Sequence, residues 1–147
     1  MAVTVGLICT KAGLGWTTVD TATGRAEDHG VDAPGNLTGR GEQLDWLLDE
    51  ATRMLRSLKP KALRIQAAGK GKFAAAAERH EVEAVVQVAA HRTGTPCEML
   101  NRDQVRAALG VPRAAGAYDG LLKRDDVKAR SNKERREQYL LALAGGS

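Results

Sequence analysis

Nine basic side chains, gathered in two places, are the groups of this chain best suited to hold an anion. Lys123, Arg124, Lys128, Arg130, Lys133, Arg135 and Arg136 stand close together, opposed only by Asp125, Asp126 and Glu134, so this one segment carries the whole net charge of +4 and the remainder is neutral. Lys70 and Lys72 alternate with glycine in Gly69-Lys70-Gly71-Lys72-Phe73-Ala74. Cations so arranged would contact phosphates, with an affinity that falls as salt rises. A solvated helix face laced with ion pairs is the plainer use of the same charges.

The glycine turn also has the spacing Gly69-x-Gly71-x-x-Ala74 of a dinucleotide-binding loop, whose amides would cradle a phosphate at a helix start. It follows an internal strand rather than the first, and the next strand ends in Asn101 where a ribose-binding acid is required. A Walker loop is excluded because Phe73, not Ser or Thr, follows Lys72. Zinc is not supported: Cys9 and Cys97 lack Cys-x-x-Cys spacing and read as buried, reduced thiols. His80 and His91 share a helix face but stand about 16 Å apart at the helical rise. No nucleophile sits in a recognisable elbow. Aromatics are 3% of the chain, too few for a base-stacking platform.

The elements that must position these groups follow from periodicity. Val3 to Cys9 and Leu14 to Val19 read as a β-hairpin turned at Lys11-Ala12-Gly13, with a weak third strand around Arg25 to Val31. Leu44, Leu47, Leu48, Ala51, Met54, Leu55 and Leu58 mark an amphipathic helix that stops before Pro60. Trp46 falls opposite that stripe, either covered by another segment or exposed as an anchor for a partner. A strand, Ala62 to Gln66, precedes a helix from about Phe73 to His91 with Val82, Val85, Val86 and Ala89 inward. After Cys97 to Leu100, Asn101 and Gln104 have capping-box spacing for a short helix. Residues 111–131 read as a flexible basic connection to a last helix that begins after Ser131-Asn132.

At 147 residues, 43% hydrophobic and 27% charged, the chain has the size and composition of one globular domain, 1–147. It contains no apolar run of about 18 residues, and Met1 to Thr10 lacks the basic start of a leader, so the expectation is a cytoplasmic protein with no membrane contact.

The order hairpin, third strand, helix, strand, helix, strand, helices is that of a ribonuclease H-like α/β fold, an antiparallel hairpin or meander extended by parallel strands with helices packed on the sheet. Lys59-Pro60-Lys61-Ala62-Leu63-Arg64-Ile65-Gln66 resembles the Lys-Pro-Asp, strand and Glu segment of the Holliday-junction resolvases. The Lys70 to Ala74 run with Val82-Glu83-Ala84-Val85-Val86-Gln87 is similar to a small bacterial family of this fold. The resemblance implies two Mg²⁺ ions held by three or four carboxylates, one activating water and the other steadying the leaving oxygen. The residues here depart from that set. Met1 to Val19 has no acid, and the region of Ile8 and Cys9 is apolar. Gln66 stands where the second acid belongs. Glu137 on the last helix matches the helical carboxylate, and Asp20 could contribute only to a rearranged site.

The resulting expectation is a degenerate, non-catalytic module with no cofactor, binding DNA or RNA phosphates or a protein partner, through Lys70, Lys72 and the Lys123 to Arg136 segment. One alternative is a Mg²⁺-dependent nuclease or junction resolvase built on Asp20 and Glu137. Another is a homodimer or subunit of a larger assembly anchored at Trp46.

Overall fold

All seven residues of the first strand, β1 (Val3–Cys9), are buried. A strand buried on both faces must be central, with a layer of helices on either side. The computed structural model, which describes residues 2–67 and 77–144, puts it there. The sheet has five strands in the order β3-β2-β1-β4-β5. β2 (Gly13–Asp20) returns antiparallel along β1, and β3 (Ala26–Asp32) along β2, so the hairpin and the weak third strand form a meander. β4 (Ala62–Gln66) and β5 (Cys97–Leu100) add in parallel after helical crossovers, α1 (Arg40–Leu58) and α2 (Ala77–Thr93). The Gly69 to Ala74 turn, with Lys70 and Lys72, lies outside the described residues.

Side-chain alternation along the strands separates two cores. Val5, Leu7 and Cys9 of β1, Leu14 and Trp16 of β2, and Leu63 and Ile65 of β4 face α1 and α2. Burial pushes the Cys9 thiol up to about 12, helped by the Glu83 charge, which keeps it an inert thiol. Trp46 is half-buried and packs against this same core, so the exposed-anchor reading is corrected. α2 and the sheet both cover α1, and its buried arc is therefore wider than the single stripe that periodicity describes.

The opposite face packs on α6 (Lys133–Leu143), with α3 (Arg102–Ala108), α4 (Ala117–Leu122) and α5 (Asp125–Lys128) beside it. Asn101 and Gln104 make both bonds of the capping box on α3, and Asn132 caps α6. The segment expected as a flexible connection, 111–131, holds α4 and α5, because Leu121, Leu122 and Val127 are buried against Tyr139 and Leu140 of α6. Glycine spacing hid these anchors from the sequence reading.

α6 approaches the sheet closely because β1 offers it Gly6. A Cβ on Gly6 would stand 1.9 Å from the Gln138 carbonyl oxygen and 2.7 Å from the Ala142 nitrogen. The helix backbone thus rests on the strand. Two buried polar side chains then close the helix end: Thr4 Oγ1 donates to the Ala142 carbonyl at 2.7 Å, and an Arg64 terminal nitrogen donates to the same oxygen at 3.1 Å. A cation against the last carbonyls is favoured by the helix dipole.

Gly6→Ala must push α6 off the sheet and should destabilise the fold by about 1–3 kcal/mol or more, the cost of forcing atoms into a packed interface. Gly41→Ala, in α1 with nothing within 4 Å of its added Cβ, should instead stabilise by roughly 1 kcal/mol. Urea unfolding of the two variants checks the opposite signs.

Candidate functional site

Parallel register fixes what meets at the upper end of the sheet. Leu7 pairs with Ile65, so Ile8 of β1 and Gln66 of β4 are neighbours in register, at positions that alternate away from the first core. Glu137, in the second turn of α6, is 4% exposed and comes down beside Gln66. Gln66 Nε2 donates to Glu137 Oε2 in a short hydrogen bond. The amide hydrogens must face the carboxylate, since two oxygens there would repel.

Arg102, the first residue of α3, comes from the other side. Its terminal nitrogen donates to Glu137 Oε1 at 3.0 Å and its Nε to Oε2 at 3.4 Å. Burial works to lower the Arg102 guanidinium, but the hydrogen bonds and charge of Glu137 outweigh it and hold its pKa above the usual value. The guanidinium also lies over the Tyr118 ring of α4, 5.7 Å from its centre. Burial, followed by the Glu137 charge, pushes the Tyr118 phenol well above its ordinary range. Glu137 is therefore an anion satisfied within the protein, by an amide on one oxygen and a guanidinium on both.

One turn earlier, Glu134 accepts from the buried Gln138 amide at 3.3 Å and approaches Gly15 of β2. Gln138 Oε1 in turn accepts from Arg135 at 3.0 Å and lies 3.3 Å from Thr17 Oγ1, whose hydrogen goes to Asp28. Arg102, Tyr118 and Glu134 were missed in the sequence. Only Glu134 carried a signal, its i,i+3 spacing to Glu137 on a helix.

These residues do not fit the Mg²⁺ pair that the fold resemblance implies. Mg²⁺ wants several hard, charged oxygens in near-octahedral array. Here β1 supplies the alkyl Ile8 and β4 an amide turned nitrogen-first. The buried carboxylate is occupied by a guanidinium. Among the described residues no group of three His, Cys, Asp or Glu side chains converges.

Asp20 cannot join this site, which corrects its pairing with Glu137. It pairs with Val3 at the lower end of β1, five residues from the level of Gln66 and so about 16 Å away at the strand rise. Its carboxylate accepts from the Ala22 and Thr23 amides, at 2.8 and 3.3 Å, and serves the turn after β2.

The basic segment is also corrected in part. Arg124 pairs with Asp126 at 2.8 Å. Arg130 pairs with Asp28 of β3 and lies over the Tyr139 ring. Arg135 donates to the Trp16 and His29 carbonyls, and Arg136 to the carbonyls of Arg130 and Lys128. Arg130, Arg135 and Arg136 fasten α5 and α6 to the meander or to one another, whereas the Arg124 pair stays within the first turn of α5. Lys123, Lys128 and Lys133 remain exposed, with no ion pair among the described residues.

Arg102→Ala should cost about 1–3 kcal/mol of stability, the penalty for a buried charged acceptor losing its main donor. In a Glu137→Gln background the same change should cost less than half as much, a coupling that a double-mutant cycle by denaturation measures. Asp28 sets an acid limit. Burial works to raise its pKa, but hydrogen bonds from Thr17 and Arg130 and the charges of Arg130 and Arg135 outweigh this and hold the carboxyl below its usual value. Its stabilisation is complete above the unfolded value of about 4 and fades as pH falls through the lower folded value. Melting temperature should drop more steeply below about pH 4 in the parent than in Asp28→Asn.

No protein-family model and no curated protein matches this chain. Solved structures do. Thermus thermophilus RuvC is 19% identical with a TM-score of 0.72, the match covering 97% of this chain and 92% of that one. RuvC of the same organism in complex with a Holliday junction substrate is 19% identical with a TM-score of 0.68, covering 98% and 92%. The yeast mitochondrial Holliday junction resolvase Ydc2 is 6% identical with a TM-score of 0.63, covering 97% of this chain and 78% of that one. The mixed five-stranded sheet with its flanking helices is thus the ribonuclease H-like fold shared by the Holliday-junction resolvases.

Proposed function

We propose that this chain is a non-catalytic, ribonuclease H-like module that binds nucleic acid through its phosphates without a metal ion. The observation that carries this reading is the engagement of Glu137 by Arg102 and Gln66. An internal cation stands where hydrolysis would need a metal, and the neighbouring sheet positions, Ile8 and Gln66, bring no charge. The Arg102 side chain is 57% exposed, so it can share its guanidinium between Glu137 and a phosphate. Lys123, Lys128 and Lys133 are free to make further phosphate contacts, and by sequence Lys70 and Lys72 would join them. Such contacts position a backbone and read no bases. The solved RuvC complex with a Holliday junction makes a four-way junction the first probe to try.

One observation favours the second reading, a Mg²⁺-dependent nuclease. Glu134 and Glu137 lie one turn apart on α6, a carboxylate pair that a rearranged site could use. A protein partner or homodimer is the reading left if nucleic acid does not bind.

Fluorescence anisotropy with labelled four-way, duplex and single-stranded DNA, in EDTA and in Mg²⁺, followed by a denaturing gel, separates these readings. The expected result is salt-sensitive binding, equal in EDTA and Mg²⁺, with intact DNA. Replacing Lys123, Lys128 and Lys133 by alanine should lower the magnitude of the salt slope by up to about 3, since each phosphate contact contributes about 0.9. Cleavage in Mg²⁺ that disappears in Glu137→Gln would establish the nuclease instead. Absence of binding at low salt would remove nucleic acid from consideration and leave the protein partner.

A further inference from the structure

Four more cations gather at the other pole of the molecule, away from Glu137. Arg56, Lys59, Lys61 and Arg92 are all exposed, and among the described residues none forms an ion pair. They come from the end of α1, the loop into β4 and the end of α2. Between these ends lies a cleft of about 580 Å³, lined by Arg56, Lys59, Pro60, Thr93, Gly94 and Thr95. Lys61 and Arg92 adjoin its lining residues in the chain. A volume of this order is that of a site for a nucleotide-sized ligand. The cleft opens beside the first residue of β4, whereas Gln66, the partner of Glu137, is the last, about 13 Å further along the strand.

Cations at helix ends have an ordinary explanation, because the dipole favours them there. The dipole accounts for the charge of Lys59 but not for its backbone conformation. Lys59 is the only non-glycine residue with positive φ among the described residues, at φ 45° and ψ 56°. In this left-handed conformation its backbone nitrogen closes α1 by donating to the Leu55 carbonyl at 2.9 Å. Glycine makes that bond without strain. The neighbouring helix α2 shows the unstrained solution, with Gly94 at φ 68° just past its end, on the wall of the same cleft. Two helix ends thus frame one cleft, one closed by the residue that suits the backbone and the other by a strained lysine. What lysine supplies and glycine does not is the ammonium group. Strain at a position where the fold could avoid it points to a task for the side chain.

We propose that this cleft binds phosphoryl oxyanions, held by Lys59 and Arg56 and steered by Lys61 and Arg92. The ligand is either a free nucleotide or the terminal phosphate of a nucleic acid, which present the same chemistry. The site is independent of Glu137 and Arg102. It would operate whether or not the sheet's upper end binds DNA.

The test is calorimetric titration of the full chain at low salt with ATP, and with a short oligonucleotide bearing or lacking a 5′-phosphate. Saturable binding of ATP identifies the free nucleotide as the source. Tighter binding of the oligonucleotide when it is 5′-phosphorylated, with the difference lost in Lys59→Gly, identifies the nucleic-acid end. Lys59→Gly separates a ligand role from a capping role. It should raise the melting temperature of the unliganded protein while weakening the anion by about tenfold, the worth of one charge-assisted contact. Arg56→Gln should weaken binding similarly with an unchanged melting temperature. No saturable binding of any of the three probes would overturn the proposal. So would undiminished binding in both Lys59→Gly and Arg56→Gln.

Discussion

Everything at the upper end of this sheet hangs from the contact between the α6 backbone and the bare α carbon of Gly6. Packed elements normally stand apart by a distance set by the side chains between them, about 8–10 Å for two helices. Here no side chain intervenes, and the peptide groups of Gln138 and Ala142 come down to the strand. Short polar side chains can therefore bridge the layers. Thr4 reaches a helix carbonyl, and Gln66 reaches Glu137. With a larger residue at position 6, those polar groups would be left buried and unpaired.

The same closeness explains how the charges are spent. A buried carboxylate is tolerable only when its hydrogen-bonding capacity is met. Glu137 meets this from two directions, the sheet by way of Gln66 and α3 by way of Arg102. The arginines of the basic segment serve the layer junction too. Arg135 holds the strands β2 and β3 and Arg130 the carboxylate of Asp28, while Arg64, from β4, holds the end of α6. Cations that look like a binding surface in one dimension are largely mortar in three. In that segment the surface left for ligands is the three lysines that no carboxylate claims.

The fold was legible because its signals are local. β-Branched alternation, the α1 stripe, the Asn101 capping box and the meander-then-crossover order all lie within short windows, and all appear in the structure. What escaped is what depends on distant partners. Arg130 and Asp28 are 102 residues apart, and nothing in either neighbourhood announces the other. Trp46 was placed by helical angle alone, which knows one buried side, whereas α1 has two neighbours. Glu137 and Gln66 were found through resemblance, as positions in a pattern. Their direct contact, and the arrival of Arg102 and Tyr118 from α3 and α4, belong to the folded chain.

Ile8 makes this arrangement resistant to change. It packs with Val105, Leu140 and Leu141 in the second core, so it is a structural residue as well as an uncharged one. A single exchange for aspartate would bury an unpaired acid among alkyl groups. A single exchange of Gln66 for glutamate would set two like charges against each other beside Glu137. Each step toward an ion-binding cluster loses stability before a second step could bind the ion that repays it. Laboratory evolution by one substitution at a time would find this site easily held and hard to convert.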